Sequence, residues 1–192
     1  MSKKTQVVGT TCVVLVILIG AGLAPVLSDR VPDVGYLTRD PTAIAGVPWW
    51  VGAVSRLTNL GWVAAAVANL LAARVVAPAR GRPLLLLGGL CAALAIDDTM
   101  LVHEGILPRL GVPEGLLLAV YALLGLITAA LWFWSTWGDA VKAAFLAGAV
   151  MLALSVAVDL ASKELFLLED GAKLIGVLAW CFCGVWAHEE RS

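Results

Sequence analysis

Apolar residues in this chain come in long, nearly uninterrupted runs, not in the strict alternation of a half-buried strand or the narrow stripe of a helix with one wet face. A run of about 18 residues or more, rising about 1.5 Å per residue, is long enough to cross a hydrocarbon core of about 30 Å. Six such spans can be placed, at about 6–27, 51–76, 83–107, 114–136, 139–162 and 171–188. The helix breakers fall where turns are needed, with Pro25 near the end of the first span, Pro78 and Pro83 around the second turn, and Pro108 and Pro113 around the third. Short connections force neighbouring helices antiparallel. The pattern therefore predicts an all-α fold: a polytopic membrane protein, an up-and-down bundle of six transmembrane helices forming a single integral domain over 1–192. The one long connection, 28–50, is rich in Pro and Asp and ends in Trp49-Trp50, an indole pair suited to the membrane boundary. It is expected on the outer surface or folded over the bundle.

Composition narrows the class further. Hydrophobic residues make up 61% of the 192 and charged residues 14%, against about 45–50% and about 25% in soluble domains. That deficit excludes a disordered chain, a basic-faced nucleic-acid binder and an ordinary water-soluble enzyme. The net charge of −1 selects no partner. Cys12, Cys91, Cys181 and Cys183 all lie inside apolar runs, where they act as small buried hydrophobes and not as a disulfide framework. Lys3 and Lys4 precede the apolar stretch Val7–Leu27 as in a signal peptide, but the stretch is longer than a typical h-region and lacks an Ala-x-Ala site. It is expected to be a retained first span.

The distribution of charge is more informative than its sum. With a cytoplasmic N-terminus, one face holds Lys3, Lys4, Arg74, Arg80, Arg82, Lys142 and Arg191, and the other holds Arg30, Arg39, Arg56, Arg109, Lys163 and Lys173. Arg74, Arg80 and Arg82 crowd one very short turn, which favours both termini inside, in the plasma membrane. Trp132, Trp134 and Trp137 then read as an aromatic belt at the cytoplasmic boundary. The small residues Ala64, Ala68 and Ala72 in the second span, and Ala144 with Gly148 in the fifth, have the spacing that lets helices approach closely.

Acids are gathered outside. Only Asp139, Glu189 and Glu190 of the 14 fall on the cytoplasmic side, and some of the others sit within spans, where an ionised carboxylate costs roughly 2.5–3.5 kcal/mol near the centre. The strongest signal is in the third span, Asp97-Asp98-Thr99-Met100-Leu101-Val102-His103-Glu104. On a continuous helix Asp97 and Glu104 share a stripe, Asp98 projects about 100° away and His103 lies on another flank. Arg56 and Asn59 in the second span, Asp159 in the fifth, and Glu169, Asp170 and Lys173 in the sixth reach the same depth. Glu169 and Lys173 have the favourable i, i+4 order of a self-paired helix start.

This convergence predicts an outward-facing polar cavity that binds a cation or a polar-headed lipid-like ligand through Arg56, Asn59, Asp97, Asp159, Glu169, Asp170 and Lys173. An intramembrane enzyme acting on a lipid or isoprenoid is the first alternative, with acid–base work falling to Asp98, His103 and Glu104. Its cofactor would be a divalent metal held by Asp97, Asp98, His103, Asp159 and Glu169, a mixed N/O set assembled between helices. An accessory subunit whose polar network binds a membrane protein partner is the second. A buried network that merely fixes helix register is the blander reading of the same residues. The expected partners are membrane lipids and not nucleic acid. Asp97-Asp98 resembles the first half of the DDxxD motif of prenyl-transferring enzymes, with Leu101 where the last Asp would stand. Glu169-Asp170-Gly171-Ala172-Lys173 is similar to the EExxK element of PrsW-type membrane proteases. Each resemblance covers a few residues, and neither identifies a family.

Overall fold

The computed structural model describes residues 41–48, 50–162 and 164–190, together with residues 15, 16, 19, 20, 23 and 26. The chain divides into two compact units, Met1–Val51 and Gly52–Ser192. In the first, the six isolated residues of the expected first span are helical. A short helix, α1, runs Pro41–Ala45 and closes on Gly46 at φ +66°, with the Val47 N–H donating to Thr42 O at 3.1 Å. Cys12, Trp49 and the rest of the long connection lie outside the described residues.

The second unit is helical throughout, and no strand occurs among the described residues. Its elements are α2 (Ala53–Val75), α3 (Pro78–Met100), a π-helical stretch (Val102–Ile106), the single turn α4 (Leu107–Arg109), α5 (Glu114–Phe133), α6 (Asp139–Ala161) and α7 (Phe166–Glu189). Three of these are long and apolar enough to cross a membrane: α3, α5 over Gly115–Phe133, and α6. α6 packs on α7, α7 on α2, and α2 on α3. α5 leans on α3 and barely touches α6.

Glycine sets the closeness of these contacts. A Cβ on Gly184 of α7 would sit 2.5 Å from the α2 backbone at Ala68 and Asn69, and one on Gly148 of α6 would strike the Trp180 ring and come within 2.9 Å of Gly176 O. Asn69, fully buried, uses the α2–α7 approach to donate from Nδ2 to Ala65 O and to Trp180 O, each at 2.8 Å. Of the expected small stripe on α2, Ala72 is buried and Ala64 is exposed; the positions that face protein are Gly61, Ala65, Ala66 and Ala72.

Two expectations are corrected. α3 starts at Pro78 and not near residue 83: Pro78 supplies the first helical residue and Pro83 is accommodated inside the helix. The aromatic belt dissolves, because Trp132 and Trp137 are only 2% and 3% exposed and Trp134 alone faces outward, at 77%. Trp132 stacks on Phe145 at 5.1 Å between ring centres, and Phe145 stacks on Trp180 at 6.0 Å. Trp137 lies beneath the Arg80 guanidinium at 4.1 Å and donates its indole N–H to Arg80 O at 3.1 Å. Arg80 also pairs with Glu190 at 3.7 Å, and Glu190 Oε2 accepts the Gly138 N–H at 3.1 Å. This cluster ties the start of α3, the α5–α6 turn and the end of α7 at one end of the bundle.

Candidate functional site

The opposite end carries most of the acids. α3 does not continue through residue 107 as one helix. Leu101 adopts the left-handed conformation, φ +51° and ψ +46°, and the π-helical stretch begins after it. A π-helical segment within a helix commonly marks a functional position. The break overturns the helical-wheel expectation: Asp97 no longer shares a stripe with Glu104, and His103 swings back over Asp97. The Asp97 carboxylate accepts the His103 backbone N–H at 2.8 Å through Oδ1 and meets His103 Nδ1 at 2.7 Å through Oδ2. It thus closes a backbone donor that the broken helix would otherwise leave open.

His103 Nε2 in turn lies 3.3 Å from Glu104 Oε1. Side-chain exposure rises along this line from 2% at Asp97 through 15% at His103 to 61% at Glu104. The result is a carboxylate–imidazole–carboxylate series leading from the packed interior to the surface. An imidazole oriented by a buried carboxylate at Nδ1 presents its other nitrogen for acid–base work.

Asp98 turns the other way, into the bundle. Its Oδ2 accepts the indole N–H of Trp62 at 2.9 Å, and its charge lies within electrostatic reach of Lys173. Lys173 also pairs with Glu169 at 3.8 Å, the i, i+4 contact expected at the start of the last helix. Tyr121 on α5 stands within reach of the charges of Asp97 and Asp98. Asn59 precedes Trp62 by one turn, and its Oδ1 is buried with no hydrogen-bond partner among the described residues.

The candidate residues therefore resolve into two neighbouring groups: Asp97, His103 and Glu104, and Asp98 with Trp62, Lys173 and Glu169. Arg56 is exposed in the first turn of α2, Asp159 is half-buried near the end of α6, and Asp170 is half-buried beside Glu169. Among the described residues, no group of three or more His, Cys, Asp or Glu side chains could hold a metal ion. Asp97, Asp98, His103, Asp159 and Glu169 are accordingly not gathered as a ligand set. Cys91 and Cys183 are buried free thiols and Cys181 is half-buried, as the apolar context requires.

Trp62 and Tyr121 are absent from the sequence reading. Trp62 carried a signal that could have found it, an indole near the middle of a span, where its N–H needs an acceptor. Tyr121 had none.

Residues 10–187 match the family described as "Domain of unknown function (DUF8692)", and the chain belongs to that family. No curated protein and no solved structure matches it.

Proposed function

We propose that this member of the DUF8692 family is an integral membrane protein of six helices whose outward-facing end binds a cation or the polar head of a lipid-like ligand. α2 and α7, at 23 and 24 residues, extend about 35 Å at about 1.5 Å per residue, enough for a core of about 30 Å. Their lower hydropathy fits their positions. Each is covered by a neighbour on two sides, so its surface answers to protein more than to lipid. Residues 6–27 would supply the sixth span. The arginines around the α2–α3 turn favour a plasma-membrane orientation with both termini cytoplasmic.

The observation that carries the site is the opposite treatment of two adjacent intramembrane carboxylates. Asp97 accepts two hydrogen bonds from His103, whereas Asp98 accepts one from the Trp62 indole and lies within electrostatic reach of Lys173. Polar groups held at such cost inside apolar helices are functional by default. The test is thermal unfolding of the purified protein in detergent with sodium, magnesium or glycerophosphoethanolamine as probes. At least one probe should raise the melting temperature of the native chain and leave Asp98→Asn unmoved; no shift, or an equal shift in both, would sink the reading.

A second reading draws on the 2.7 Å Asp97–His103 contact. It makes His103 the acid–base group of an enzyme acting on the same polar head, and His103→Gln would then abolish turnover while leaving the probe-induced shift in place.

A further inference from the structure

We infer that Asp97, His103 and Glu104 form a proton lock: one exchangeable proton holds the Glu104 carboxylate against the outer nitrogen of His103, and its loss frees both groups. The lock needs no ligand and is independent of what this end of the bundle binds.

Counting hydrogens leads to it. Asp97 Oδ2 and His103 Nδ1 are 2.7 Å apart, and His103 Nε2 and Glu104 Oε1 are 3.3 Å apart. Each contact sets two lone pairs against each other unless a hydrogen lies between them. The two contacts together therefore hold two protons. A neutral imidazole beside two ionised carboxylates supplies only one. The count is the same whether the extra proton resides on the ring, on Asp97 or on Glu104.

Burial and the backbone decide which contact yields when that proton leaves. The Asp97 side chain is 2% exposed and also accepts the His103 backbone N–H at 2.8 Å. Swinging it away would strand that donor where the left-handed Leu101 breaks the helix. Glu104, at 61%, has water to turn to. The remaining proton thus stays on Nδ1, Nε2 keeps a bare lone pair, and the Glu104 carboxylate is repelled into solvent. Released, the lock leaves this end one negative charge richer, with an imidazole acceptor open to the medium.

The surrounding charges set where on the pH scale the proton leaves, not which contact it leaves from. The elements packed on the π-helical stretch are α3, α4 and α5. α3 brings Asp97 and Asp98, α4 the exposed Arg109, and α5 Tyr121, with Glu114 at its first position. Asp98 lies within electrostatic reach of His103 and, on its other side, of Lys173 of α7. None of these replaces Asp97 at Nδ1.

The experiment is NMR of the full, isotope-labelled chain in detergent from about pH 5 to 8, the range in which histidine changes charge. His188, the other of the two histidines, is exposed at the far end of α7 and serves as the internal reference. At the basic end His103 should carry its proton on Nδ1 alone and lose its nuclear Overhauser contacts with Glu104, and titration of His188 should leave Glu104 unmoved. Asp97→Asn separates a lock from a merely packed histidine. Its Oδ1 still accepts the backbone N–H, so its amide N–H faces Nδ1 and drives the ring proton to Nε2, which then donates to ionised Glu104 with no extra proton. This variant should show Nε2–H at the basic end and keep the Glu104 contacts throughout. Glu104→Gln, whose amide N–H donates to the bare Nε2, should keep them too, and at an exposed position it serves if Asp97→Asn fails to fold. An Nε2–H ring in the native chain at the basic end, Glu104 contacts that persist there, or their loss from either folded variant overturns the lock.

Discussion

His103 gives both its backbone N–H and its imidazole Nδ1 to one carboxylate, that of Asp97, at 2.8 and 2.7 Å. Six residues separate the two in sequence, a spacing that no continuous α-helix brings together. The contact exists because the backbone reverses hand at Leu101, and the buried carboxylate compensates the interrupted ladder.

Removing that carboxylate leaves a backbone donor and an imidazole without their acceptor. Asp97→Ala should cost about 2–4 kcal/mol, read as a lower melting temperature in detergent, with faster amide exchange at His103. Unchanged exchange at that amide would show that Asp97 does not cap the break.

Trp62 supports Asp98 through one N–H and packs its ring 6.2 Å from that of Trp180. Trp62→Phe keeps most of the packing and deletes the donor, so it should cost about 1.5–3 kcal/mol, the range for a hydrogen bond to a charged group. A double-mutant cycle with Asp98→Ala, which removes the acceptor, checks the pairing, since additive losses would mean that the two do not interact.

Gly184 and Gly89 make a matched pair. A side chain at Gly184 meets the α2 backbone, whereas one at Gly89 meets nothing within 4 Å. Gly184→Leu should cost about 3 kcal/mol or more through overpacking. Gly89→Leu should be neutral or stabilising by up to about 1 kcal/mol, because glycine is a poor helix former. Chemical unfolding of both variants decides it, and similar stabilities would contradict the packing described for α7 on α2.

At the Arg80 end, the ion pair and the ring beneath it should separate energetically. Arg80 and Glu190 are 30% and 33% exposed, so Glu190→Gln should cost about 1 kcal/mol or less, shrinking as salt rises. Trp137 is buried, and Trp137→Ala should cost about 3–5 kcal/mol regardless of salt. Unfolding at low and high salt tests both expectations.

Orientation can be read from two exposed positions. Leu110, at 72%, and Trp134, at 77%, lie at opposite ends of α5. With a cytoplasmic N-terminus, a membrane-impermeant maleimide should label Leu110→Cys in intact cells and reach Trp134→Cys only after lysis. The reverse pattern would invert the proposed topology.

Helical class, the approximate places of the turns and the uneven spread of acids follow from the amino-acid sequence by itself, because segment hydrophobicity and proline position act locally and need no partner. Asp97, Asp98, His103 and Glu104 stood out for the same reason, since charge within an apolar run is visible without coordinates. Tertiary structure decided what those residues do. The break at Leu101 turned a helical wheel into a hydrogen-bonded series. Trp132 and Trp137 exchanged an expected membrane boundary for the core, because an indole suits either place and only the neighbouring helices choose. Likewise, α2 and α7 lie between other helices, where packing against protein and not transfer to lipid sets which residues are tolerated. Which carboxylate meets histidine, and which meets indole, depends on the break at Leu101 and on a contact 36 residues apart in the chain, and local pattern carries no record of either.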